Sequence, residues 1–341
     1  MMKLGLVVTT IQSPTLQLRK LIESADFHSV VIVGDVKTPP DWSWPGARYL
    51  SVEEQLNIEP ELAKLTPWNT YARKNLGYLA CLASGATVIF ESDDDNGPLP
   101  GLGSLAIEAS FEGPVVESAS GWINPYRMTN RADIWPRGLP LEEIQNAPAY
   151  ASVDGRIDNV AVQQWLAAGE PDVDAIYRLT RDQAGVELEG GRFAVGHGSF
   201  TPFNSQSTAW HSHFELMYLP ATVSFRMTDI WRSFVALRVM HSMDASLVYM
   251  GPGVHQDRNP HNLLNDFESE IPGYLWNTRI RGLLNEVSFV ADDSISARLR
   301  RCYEALASAG IVDAEELTIL DAWCSAMALV MTQRKTALGL E

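Results

Sequence analysis

The chain has 341 residues, 46% of them apolar and 20% charged, with 26 Lys and Arg against 42 Asp and Glu for a formal net charge of −16. That apolar share can bury a sizeable core in one large or two ordinary domains, which excludes a disordered chain. A pI near 4.8 sets the average field against a phosphate backbone or an anionic lipid surface, so a general nucleic-acid binder and an electrostatic membrane binder are excluded. Three scattered cysteines, Cys81, Cys302 and Cys324, make neither a disulfide framework nor a CxxC metal knuckle. With no signal-peptide pattern and no apolar run long enough to cross a bilayer, the expected compartment is the cytoplasm.

Residues 4–9 are a short apolar run with β-branched members, expected as a buried strand, and Ser13 and Pro14 are expected to open a helix through Ile22. Residues 30–33 predict a second strand ending at Gly34 and Asp35, and 48–50 a short third. Residues 70–84 read as a helix closed by Gly85, and 87–90 as a buried strand leading into Asp93, Asp94 and Asp95. Strands alternating with helices predict an α/β fold with a mostly parallel central sheet, whose ligands bind beyond the carboxyl ends of the strands. Residues 98–155, rich in Gly, Pro and Trp, predict loops with short strands. The pattern then predicts a helix over 158–168, strands over 175–179 and 221–225, and a helix over 228–243. From Pro260 onward it is mostly helical, over 263–269, 275–287, 295–309 and 315–332. We therefore divide the chain into residues 1–255 and a mostly helical region, 256–341, packed on them.

The Asp triplet is the sharpest chemical signal. Alternate residues of an extended chain share a side, so Asp93 and Asp95 would face one way. Two such carboxylates repel unless a divalent cation lies between them, and Mn2+ or Mg2+ held by carboxylates plus substrate phosphates is a common arrangement. The same Asp-Asn-Gly cluster is also ordinary turn chemistry. Thr9, Thr10 and Gln12 lie at one strand end, with Asp35 and Lys37 at another. Arg73 and Lys74 could pair with a diphosphate or simply face solvent. Residues 255–262 are densely polar: His255 and His261 are candidate further metal ligands and Arg258 a candidate phosphate contact. Asp229 is a candidate base on the opposite wall of a cleft, or an acidic first-turn residue of a helix capped by Thr228. His211 and His213 have a spacing that is a weak zinc signal without a third ligand. Trp42, Trp44, Trp122 and Trp135 could stack on sugar faces or simply pack.

Residues 8–12, 33–39, 71–78 and 93–96 resemble the STELLO family of glycosyltransferases. The resemblance continues through 172–179, 203–206, 223–233 and 256–262, in order. It implies a GT-A-like, nucleotide-sugar-binding fold whose metal-binding Asp motif carries onto Asp93 and Asp95. The function it implies is a metal-dependent transferase, moving a sugar from a UDP-, GDP- or CMP-linked donor to a glycan, lipid-linked or other hydroxyl acceptor in surface polysaccharide synthesis. In that frame Asp94 and Asp229 are the expected catalytic residues. Thr9, Thr10, Gln12, Asp35, Lys37, Arg73, Lys74, Asp93 and Arg258 are the expected nucleotide-sugar contacts. Plant members are Golgi membrane proteins associated with cellulose synthesis; this chain shows no such anchor and resembles a soluble, bacterial relative, with a homodimer through the C-terminal helices as one expectation. A more distant similarity to reversibly glycosylated polypeptides rests on the strand and Asp-triplet region. It implies a nucleotide-sugar mutase as the alternative; a non-catalytic scaffold is a second.

Overall fold

The structure is a computed structural model that describes residues 2–102, 108–145, 148–181, 185–259 and 262–337. The N-terminal apolar run folds as β1 (Leu4–Thr9), followed by α1 (Leu16–Glu23). The cap of α1 is Thr15, which accepts from the Leu18 amide at 3.0 Å, rather than Ser13. Next come β2 (Ser29–Val33), β3 (Ala47–Leu50), α2 (Val52–Ile58), α3 (Pro60–Leu65), α4 (Lys74–Ala83), β4 (Val88–Asp93) and β5 (Asn96–Pro98). Residues 71–73 form a 3-10 turn leading into α4. The middle holds β6 (Phe111–Ser118), α5 (Leu141–Gln145), β7 (Tyr150–Ile157), β8 (Val160–Gly169), α6 (Ala175–Thr180), β9 (Arg192–Val195) and β10 (Ser207–Trp210). The chain continues through α7 (Thr228–His241), β11 (Ser246–Gln256), α8 (Leu263–Glu286), α9 (Ile295–Ser308) and α10 (Glu316–Ala337).

The sheet order is β3-β2-β1-β4-β10-β8-β11-β9-β6-β7, with β5 added against β11. The first four strands are mutually parallel. β10 is antiparallel to both β4 and β8, and β8 is parallel to β11. Two antiparallel steps restore direction, so β1, β2, β4, β8 and β11 all end at one edge, and β10 begins there. This puts the expected α/β architecture in place, with the strand ends gathered along one edge. Alternation along the strands splits the core into two layers. Val7, Val31 and Val33 face α4 and the C-terminal helices, while Leu6, Val8 and Ile32 face α1. α9 and α10 pack on α7 and α4 within the first of these layers.

Three secondary-structure expectations are overturned. Residues 158–168 are not helical: β8 is buried along its whole length between β10 and β11, and burial on both faces overrides the helix preference of Ala, Gln and Leu. Residues 175–179 are helix rather than strand, because the Asp174 carboxylate caps α6 through the Tyr177 amide at 2.7 Å. Residues 221–223 are irregular and 225–227 form a 3-10 turn. The fully buried Glu316 carboxylate of α10 takes the amides of Ala221 and Thr222, which are then unavailable to a strand ladder. In addition, α8 runs unbroken through Pro272, where two helical segments were expected, and α7 has no side-chain cap from Thr228.

Gly77 lets α4 lie against the sheet. A Cβ there would meet Val33 Cγ2 at 2.5 Å and Val7 Cγ1 at 2.7 Å. Gly77→Ala is therefore expected to cost about 1–3 kcal/mol by overpacking, read as a lowered urea midpoint with unchanged slope. An unchanged midpoint would mean that α4 can withdraw freely.

His211 and His241 are half-buried, and each Nε2 is buried without a hydrogen-bond partner. Burial lowers both to about 4 from 6.5. The unfolded chain binds these protons near pH 6.5 and the folded protein only near 4. Their contribution is therefore complete above 6.5 and lost as pH falls, by about 2 kcal/mol per ring at pH 5. Urea midpoints from pH 7.5 to 5 should fall accordingly and flatten in a His211→Gln/His241→Gln double variant. An equal slope in that variant would assign the acid lability elsewhere.

Candidate active site

The shared strand edge opens into a cleft of about 580 Å³, within the range of small-molecule sites. One wall comes from the ends of β1, β2 and β4 and from the turn before α4. The other comes from the segments after β8 and β11, the segment before β10, and the start of α7. Thr9, Thr10, Gln12, Asp35, Lys37, Arg73, Asp93, Asp94, Asp95, Asp229 and Arg258 all line it. The fold thus gathers residues more than 200 positions apart.

The first wall is held by local hydrogen bonds. Asp35 accepts from the Val36 amide at 2.6 Å and the Asn69 amide at 2.8 Å, so its carboxylate fixes the turn after β2. Thr38 donates to the Thr10 carbonyl at 2.7 Å, and Thr10 Oγ1 donates to Asp94 Oδ2 at 2.5 Å. Arg73 is buried: it donates to Gln55 Oε1 at 2.8 Å and to the carbonyls of Ala63 and Thr66, and its guanidinium lies 3.6 Å from the Trp68 ring centroid. Burial lowers its pKa to about 10, with Asp35 opposing. Lys74 is fully buried and not among the lining residues; it donates to the carbonyls of Ser92 and Ser205 at 2.8 and 3.1 Å and to Tyr71 Oη at 2.8 Å.

Asp93 ends β4, and Asp94 and Asp95 form the turn into β5. Tyr71 Oη donates to Asp93 Oδ1. Asp95 accepts from Gln256 Nε2 at 3.1 Å and Asn96 Nδ2 at 3.2 Å. Burial raises all three carboxyls; Lys74 opposes it at Asp93 and Thr10 at Asp94. Asp95 reaches about 7 because the Asp93 carboxylate adds to burial. Three crowded carboxylates, two buried and one half-buried, suit a hard divalent cation, whose ligands are oxygens. Among the described residues, no group of three or more His, Cys, Asp or Glu could hold a metal by itself. A cation here would therefore complete its shell with substrate oxygens and water. His255 is not a lining residue; its Nε2 lies 3.1 Å from Asp257 Oδ1, and its side chain is 45% exposed. His261 lies outside the described residues.

On the opposite wall, Arg137 joins two carboxylates. Its guanidinium donates to Asp172 at 3.0 and 2.7 Å and to Asp229 at 2.8 and 3.1 Å. Burial would raise both acids, but Arg137 more than offsets it and holds both below the usual carboxylate range. Asp229 therefore stays ionised and is a weak proton acceptor. The Ser205 amide donates to Asp229 at 3.3 Å, and Ser205 Oγ donates to Tyr71 Oη at 2.7 Å. A continuous chain of contacts thus runs from Asp93 through Tyr71, Ser205, Asp229 and Arg137 to Asp172. Arg232, beside Asp229 in sequence, turns away into the core and pairs with Glu91 at 2.9 Å. Trp42, Trp122 and Trp135 are buried, and neither they nor Trp44 line the cleft.

Arg137 belongs to the Gly- and Pro-rich middle, where no periodicity singles it out. Asp172, Arg178, Arg226 and Gln256 fall within the family-like blocks, which imply no role for them, although all four line the cleft.

No family model matches the sequence. The Arabidopsis thaliana protein Probable glycosyltransferase STELLO2 is 29% identical over 272 residues, covering 74% of this chain and 35% of that protein. Probable glycosyltransferase STELLO1 of the same plant is 29% identical over 274 residues, with the same coverage. The chain thus spans about a third of the length of the curated relatives it matches. A crystal structure of Mycobacterium tuberculosis glucosyl-3-phosphoglycerate synthase with Mn2+, UDP-glucose and phosphoglyceric acid has 12% identity and a TM-score of 0.40, covering 89% of this chain and 80% of its own. A further mycobacterial protein has 14% identity and a TM-score of 0.42, covering 86% and 80%. Likeness at that level transfers no ligand or substrate. Across 74% of its length the chain is similar in sequence to the two STELLO proteins, each named a probable glycosyltransferase.

Proposed function

We propose that the chain is a glycosyltransferase that takes a sugar from a nucleotide-sugar donor to a hydroxyl acceptor, a glycan among the candidates, with Mn2+ or Mg2+ at the Asp triplet. The observation that carries this reading is the placement of Asp93, half-buried, with Asp94 and Asp95, buried, together at the carboxyl end of β4 in a cleft shared with Thr10 and Asp35. The sequence similarity to the STELLO proteins supports it independently.

In this reading Asp93 and Asp95 hold the cation, which when bound offsets charge on the departing diphosphate. Thr10 fixes the Asp94 carboxylate, and Tyr71 and Lys74 fix that of Asp93. Asp35 shapes the nucleotide side of the cleft through the turn it caps. Asp229 works on the acceptor side as an ionised anchor and positions Ser205 and Arg137.

Calorimetry with UDP, GDP and CMP, each with and without Mn2+, tests the reading. The expected result is that one nucleotide binds at least tenfold more tightly with metal, and that Asp95→Ala removes the difference. Binding indifferent both to metal and to that substitution would sink it.

A further inference from the structure

Two arginines on the wall opposite the Asp triplet have N–H donors that nothing in the protein accepts, and a third guanidinium lies beside them. Arg178 comes from α6, Arg226 from the turn before α7, and Arg258 from the segment after β11; all three line the cleft. Arg178 Nε and Arg258 Nη1 are buried without a hydrogen-bond partner, whereas Arg226 Nη2 lies 2.9 Å from Glu270 Oε1 in an ion pair. The side chains of Arg178 and Arg258 are each 7% exposed, so water cannot freely serve their unused donors. An unserved buried donor costs stability, and two of them beside a third guanidinium call for an acceptor from outside the chain.

The remaining donors of each guanidinium are spent on holding it in place. Arg178 donates to the Pro171 carbonyl at 2.6 Å, Arg226 to Glu270 Oε1 at 2.9 Å, and Arg258 to Asp266 Oδ2 at 2.6 Å. The heads are close enough to repel. Burial lowers Arg178 to about 10, and Arg258 adds to the effect. Burial also lowers Arg258, with Arg226 adding.

We propose that Arg178, Arg226 and Arg258 form an anion subsite that binds a phosphate group carried by the second substrate, the acceptor. Phosphate fits the donor set better than carboxylate. A carboxylate is satisfied by the fork of a single arginine, whereas unserved donors from two separate chain segments, beside the Arg226 charge, suit the several oxygens and higher charge of a phosphate monoester. The subsite is built from segments after β8 and β11 and before α7, not from the β1, β2 and β4 ends that carry the nucleotide-side residues. As an acceptor subsite this assignment rests on the transferase reading; as an anion site it stands on the arginines alone.

Calorimetry with inorganic phosphate tests it, on the protein alone and on the protein saturated with the nucleotide that binds it and Mn2+. Phosphate is expected to bind in both states within a threefold difference in Kd, and acetate at least tenfold more weakly. Arg178→Gln and Arg258→Gln should each weaken phosphate at least tenfold with unchanged far-ultraviolet circular dichroism, and Arg178→Gln should leave nucleotide binding within twofold. Loss of phosphate binding once nucleotide is present would assign the arginines to the donor diphosphate and overturn the proposal. Absence of phosphate binding to the wild-type protein, or binding unaffected by either substitution, would also overturn it. If no nucleotide binds, the transferase reading fails and the acceptor assignment with it. The phosphate arm on the protein alone, with its two variants, would then decide separately whether the anion site exists.

Discussion

An Arg137→Ala variant is expected to lose about 3–5 kcal/mol of folding stability at pH 7, because it strands two buried carboxylates. Arg137, Asp172 and Asp229 have side chains only 7%, 15% and 8% exposed, and the guanidinium makes two contacts to each acid. The pH dependence separates this cause from lost packing. In the wild-type protein both acids are held below their ordinary values. Their contribution is present above the unfolded pKa near 3.8 and disappears as pH falls through the folded values. Without Arg137, burial dominates and both pKa values rise, so the variant should lose stability as pH increases. The deficit against wild type should therefore shrink between pH 7 and pH 4 in urea denaturation. A deficit constant across that range would mean that packing, not charge, is what Arg137 supplies.

Asp95→Asn is expected to trade function for stability. Catalysis should fall by about 10²–10³-fold, the scale of several kcal/mol of transition-state charge stabilisation. The metal-free protein, however, should become more stable by about 1–3 kcal/mol, because a buried carboxylate crowded by two others is neutralised while an acceptor for Gln256 remains. Added Mn2+ should raise the melting temperature of the wild type and not that of the variant. A variant that melts below the metal-free wild type would show that Asp95 is structural. Full activity in a stabilised variant would remove Asp95 from the cation site.

The wall of the cleft built on the ends of β1, β2 and β4 is legible residue by residue. Thr10, Asp35 and the Asp triplet each come directly after a short buried strand, and parallel strands place the residues at their carboxyl ends along one edge. The opposite wall is not legible in this way. Asp172 comes after β8, whose own Ala, Gln and Leu content favours a helix, so its residues had no strand end to be placed at. Arg137 sits in a stretch without period and finds Asp172 and Asp229 only once three distant segments fold together. The sequence neighbours of Asp229 suggest a base. Arg137, which makes it a poor one, lies 92 positions away.

What the sequence determined alone is the parallel half of the sheet and the chemistry at its edge. Short continuous apolar runs, turn residues and clustered carboxylates are local signals that need no partner to be read. Only the tertiary structure decided the state of the second half. Burial between two strands made β8 a strand, and a carboxylate from α10 denied residues 221–223 a ladder. Arginines from separate segments met there because the antiparallel detour through β10 returned β8 and β11 to the edge where β4 ends. Those outcomes depend on desolvation and charge pairing between residues far apart in the chain, and local pattern carries no record of either.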